Sequence, residues 1–96
     1  MAYKCVIWGM GVLYDNYVNN IFFELTKGNI EIVGVVSNDK LIHSIDGFSF
    51  FKKKNIKEMF FDYIIVACDY GIVKREASEL GIPQEKLIKI DIFLLP

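Results

Sequence analysis

Apolar residues in this chain fall into short unbroken runs and into helical stripes, and the regular exchange of the two predicts strands joined by helices. Tyr3-Lys4-Cys5-Val6-Ile7-Trp8 reads as a first strand running straight into Gly9-Met10-Gly11. From Val12 to Lys27, the residues Leu13, Tyr14, Tyr17, Val18, Ile21, Phe22 and Leu25 recur at three- and four-residue spacing between Asp15, Asn16, Asn19, Asn20 and Glu24. That period is an amphipathic helix, and Lys27-Gly28 supplies the cation and glycine of its end. Glu31 to Val36 is nearly continuous in β-branched residues, as a parallel strand covered on both faces requires. Residues 40–47 read as a loop, in which Asp46-Gly47 turns into a short aromatic strand, Phe48 to Phe51. Asn55 and Glu58 have the spacing of a capping pair for a short helix covering Ile56 and Met59 to Phe60. A buried strand follows from Tyr63 to Cys68, then a helix lined by Val73, Ala77 and Leu80 that stops at Gly81 ahead of Pro83. Leu87 to Asp91 alternates more and belongs at a sheet edge.

Strands separated by single crossovers form a parallel sheet, and right-handed connections leave few arrangements. The expectation is an α/β fold: one domain over residues 1–96, three layers, about five parallel strands in the order 3-2-1-4-5. With 53% apolar residues, 15% aromatic residues and a net charge of −1, the chain is neither a disordered tail nor built mainly to grip nucleic acid. No apolar run reaches the roughly 18–20 residues needed to span a bilayer, and no signal-type start is present, so a cytoplasmic setting is expected. Cys5 and Cys68 fall at offset positions on neighbouring strands, too far along the strand axis for a disulfide, and read as two buried thiols. The apolar ending Ile92-Phe93-Leu94-Leu95-Pro96 points to a domain that continues into, or docks on, a catalytic domain or a second copy.

In this strand order the switch point lies between the first and fourth strands, where ligands of open α/β sheets collect. The turn Gly9-Met10-Gly11-Val12-Leu13 would offer backbone amides and a helix start to phosphates. Ser37, Asn38 and Asp39, leaving the second strand, would hold ribose or base. Cys68, Asp69 and Tyr70 would face the distal part of a ligand. A dinucleotide site wants a third glycine where this chain has Tyr14, and Asp15 already meets part of the helix dipole. Asp69 also reads as the cap of the following helix. The catalytic inventory is thin. His43 is the single histidine, in a loop, and no metal-ligand spacing occurs. Lys52-Lys53-Lys54 reads as a solvated edge.

Val6 to Gly11, Ile32 to Asp39, Gly47 to Phe50, Phe61 to Ala67 and Leu80 to Lys86 together resemble the small Rossmann-like domains of bacterial surface-polysaccharide and sugar-nucleotide enzymes. The resemblance implies a non-catalytic domain that holds a nucleotide or nucleotide-sugar for an enzyme of glycan assembly. It departs from that group's pattern at Tyr14 and at Ser37, where an acidic residue is usual. Two other readings stand beside it: the NAD(P)-binding half of a sugar-nucleotide dehydratase or reductase, and a docking module without a ligand.

Overall fold

The computed structural model describes residues 2–37, 44–45 and 47–92. Six strands, β1 (Tyr3–Trp8), β2 (Ile30–Val36), β3 (Ser44–Ile45), β4 (Phe48–Phe51), β5 (Tyr63–Val66) and β6 (Leu87–Lys89), accompany two helices, α1 (Val12–Lys27) and α2 (Tyr70–Glu79). The sheet runs β3-β4-β2-β1-β5-β6. Five of these strands are parallel, and in chain order they make the expected 3-2-1-4-5. To this the structure adds β3, antiparallel to β4 through Ser44↔Ser49 and Ile45↔Phe48. Part of the expected loop is therefore a hairpin, since a two-residue strand is too short to show a period. Gly47, at φ +83°, makes its turn. His43 and Asp46 lie outside the described residues, as do Asn38, Asp39 and the apolar ending 93–96.

Alternation along β1 sends Cys5 and Ile7 to one face, where they pack with Tyr14 and Ile21 of α1, Val35, Ile65 and Ile90. Val6 and Trp8 go to the other face, against Ile56, Ile64, Val66, and Val73 and Ala77 of α2. The result is a three-layer sandwich. Gly34 in β2 sits under the Phe51 ring, which occupies the place a Cβ would take. That close approach explains a glycine inside a buried strand.

Helix α1 ends as its sequence predicts, with Gly28 at φ 77° and its amide bonded to the Glu24 and Leu25 carbonyls. The expected capped helix near Asn55 is instead a 3₁₀ segment, Lys53–Glu58, that starts after Lys52 without a side-chain cap. Asn55 lies within it, its N–H donating to the Lys52 carbonyl at 3.0 Å. A six-residue run between strand ends is too short to nucleate α-helix and closes with tighter i+3 bonds. The lysine run is not wholly solvated either, because Lys53 Nζ pairs with Glu76 Oε2 at 2.8 Å and ties this segment to α2. Strand β6 stops at Lys89, and residues Ile90–Ile92 form a 3₁₀ turn that meets α1. Among the described residues no helix is long and apolar enough to cross a membrane.

Tyr14, only 1% exposed, fills the space between α1 and the sheet. Tyr14→Gly would complete the three-glycine pattern, but it would leave a cavity costing about 3–5 kcal/mol and put glycine in a helix for about 1 more. Against a typical total of about 5–15 kcal/mol, this variant is expected to lose most of its stability in urea denaturation. Parent-like stability would show that Tyr14 is not the spacer described here.

Candidate functional site

The carboxyl edge of the sheet is organised around the end of β1. Gly9 N–H donates to the Val36 carbonyl at 2.8 Å, and the Trp8 carbonyl accepts from Ala67 N–H at 2.8 Å. The Cys68 thiol also approaches the Trp8 carbonyl, at 3.6 Å. Gly9 has φ +103°, and a Cβ there would lie 2.8 Å from Cys68 Cβ and 3.0 Å from the Ala67 carbonyl carbon. Glycine is thus demanded here by the chain itself, and the two turns expected to face each other across an open crevice are in contact at its base. Gly9 contributes shape, since its amide is already bonded.

Gly11 is different. Its φ of −90° lies outside the left-handed region that demands glycine at Gly9, and a Cβ there would have open space around it. It precedes α1 without supplying a side-chain cap, and the first helical bond joins Asp15 N–H to the Gly11 carbonyl at 3.1 Å. The amides of Val12 and Leu13 therefore have no acceptor within the helix. Val12 and Leu13 are themselves exposed, at 74% and 38%. Met10 is half-buried and packs against the α1-side core.

Leu13, Cys68, Asp69, Tyr70 and Gly71 line a groove of about 430 Å³, together with Lys89, Ile90 and Asp91, which sequence reasoning missed. Their signal was topological: with β6 beside β5, the residues ending β6 must border the same groove. Lys89 Nζ stands 4.8 Å from the Tyr70 ring centroid. Asp69 caps α2 as expected, Oδ1 accepting from Ile72 N–H at 3.1 Å. The charge of the groove is mixed, with Lys89 against Asp69 and Asp91. Ser37 lies apart on the β2 side, half-buried after Val36.

Both cysteines are free. Burial, with a smaller contribution from Asp62, pushes the Cys5 thiol up to about 12. Burial first, then Asp69 and Glu76, raises the half-buried Cys68 thiol too, against an opposing pull from Lys53. A nucleophilic thiolate needs the opposite shift, so Cys68 is a wall of the groove and not an activated nucleophile. Among the described residues no three His, Cys, Asp or Glu side chains gather as a metal site.

Fold and edge together define a small doubly wound α/β domain whose groove opens at the carboxyl ends of its strands. The chain belongs to the family described as C2185-like, N-terminal, whose model matches residues 1–88. A comparison with curated proteins finds no match. The family assignment corrects the expected kinship with Rossmann-like domains of surface-polysaccharide enzymes. The segments that carried that resemblance, Val6 to Lys86, all lie within the matched stretch. They are the buried strands and tight turns that any sheet of this kind requires.

Two outcomes check this geometry. Gly9→Ala adds a left-handed penalty of about 1–2 kcal/mol and an overpacked contact of about 1–3, so a large drop in urea midpoint is expected. Gly11→Asp introduces a good cap in open space, so its midpoint should equal or exceed the parent's; equal losses for both would refute the distinction. The second outcome concerns Cys5. An unfolded chain ionises this thiol above 9.0 while the folded protein keeps its proton to about 12. Stability therefore falls as pH rises through that window, by at most ~1.4 kcal/mol per pH unit from this group. Cys5→Ala should show a shallower decline in parallel urea titrations, and an unchanged slope would contradict the assignment.

Proposed function

We propose that this domain holds a nucleotide or nucleotide-sugar, without transforming it, at the carboxyl edge of its sheet. The observation that carries this reading is the contrast between the glycines: Gly9 is required by packing, whereas a Cβ at Gly11 would stand in open space. A bare residue ahead of open helix amides lets a phosphate approach the backbone. The Val12 and Leu13 amides would take the phosphates, Lys89 would balance their charge, and Tyr70 and Asp69 would meet the base or sugar. Ser37 would serve the opposite flank, and the expected Asn38 and Asp39 lie outside the described residues. Tyr14 holds α1 off the strand, which favours a mononucleotide over the close helix approach of a dinucleotide site. The family description names an N-terminal unit, and the proposal takes this unit as a binding module that works in the cytoplasm for a further domain or a partner.

Titration of the ¹⁵N-labelled chain with UDP-glucose, NAD and inorganic pyrophosphate tests this. Shifts at Gly11 to Leu13 and at Cys68 to Tyr70 with UDP-glucose are expected. Gly11→Asp should weaken binding about ten-fold or more, ~1.4 kcal/mol, with the fold intact. Silence toward all three probes, or binding indifferent to Gly11→Asp, would end the proposal.

A further inference from the structure

The charges along the carboxyl-edge groove limit how many phosphates a ligand can bring into it. Of the side chains that line it, Lys89 is the single cation, and Asp69 and Asp91 are both carboxylates. Leu13 and Tyr70 are among its apolar walls. At about 430 Å³ it falls in the lower part of the roughly 300–1,000 Å³ range of small-molecule sites.

Lys89 is placed to meet one anionic group. Its Nζ stands 4.8 Å from the Tyr70 ring centroid, a contact that orients the ammonium without neutralising it. Among the described residues the one salt bridge joins Lys53 to Glu76, so no carboxylate there cancels the Lys89 charge by direct contact. An ammonium binds phosphate as a compact point charge, without the paired bonds of a guanidinium. The two carboxylates have a different use. Asp69 Oδ1 accepts the Ile72 N–H at 3.1 Å, and Asp91 is exposed. When ionised, a carboxylate only accepts hydrogen bonds, so it suits the hydroxyls of a ribose or sugar and repels phosphate oxygens.

We propose that the ligand of this groove carries a single phosphate group. The inference rests on the reading of the groove as a nucleotide site and names the class of nucleotide. One phosphate meets Lys89. A second adds negative charge where the lining offers two carboxylates and no further cation. Screening over about 10 Å at 0.1 M salt leaves those carboxylates able to act on any phosphate lodged beside them, by a modest amount because the groove is wet.

The test is an NMR titration of the ¹⁵N-labelled chain with uridine, UMP and UDP at equal low ionic strength. UMP is expected to bind tightest, with UDP weaker by about three-fold or more despite its extra phosphate. Asp91→Asn removes an exposed charge and should keep the spectrum of the fold while bringing UDP level with UMP. Lys89→Gln should cancel the advantage of UMP over uridine. UDP binding as tightly as UMP to the parent chain, or a gap that Asp91→Asn leaves unchanged, would overturn the single-phosphate inference while sparing the nucleotide site. Silence toward all three would end both.

Discussion

The end of β1 is the constraint on which the carboxyl edge depends. Trp8 and Gly9 are bonded on both sides, to Val36 of β2 and to Ala67 after β5. A central strand so clamped cannot shift without breaking two ladders. The contact of Gly9 with Cys68 carries the clamp beyond the strands, because a side chain at Gly9 would push the β5 turn away. Helix α1 begins three residues later, so its origin, and hence the position of its open amides, follows from how tightly that turn closes.

Tyr14 sets the second dimension of the same edge. Where three-glycine turns let helix and strand approach closely, a buried tyrosine keeps them apart and joins the core between Cys5, Ile7 and Ile65. The space between them is filled by the buried Tyr14 side chain. On the outside, Leu13 beside it in α1 borders the groove that ends at Lys89 and Asp91.

The strands and helices were legible because burial on both faces writes unbroken apolar runs, and α1 writes a long stripe from Leu13 to Leu25. Shorter features were not. A two-residue hairpin strand and a 3₁₀ segment have too few residues for a period, and the spacing of Asn55 and Glu58 imitated a cap that the backbone does not use. At the site, sequence marked the turns after β1 and β5 because glycines and a capping aspartate are local signals. Lys89 and Asp91 became visible only once strand order placed β6 beside β5. The distinction between Gly9 and Gly11 needed coordinates, since two glycines look alike until the space around each is known.

The lysines show how this apolar chain manages its surface. With eleven Lys and Arg against twelve Asp and Glu, abundant ion pairing was open to it, yet among the described residues the one salt bridge is Lys53 to Glu76. Four other lysines instead stand over rings: Lys4 on Phe60, Lys27 on Phe23, Lys86 on Phe61 and Lys89 on Tyr70. Each contact contributes only about 0.5–1 kcal/mol at an exposed site, comparable to a surface ion pair. The difference is geometric. An ion pair hides two charges from each other, whereas an ammonium over a ring covers apolar surface and leaves its charge facing outward. At both edges of the sheet this leaves cations beside aromatic rings, Lys4 and Lys86 at one and Lys89 at the other.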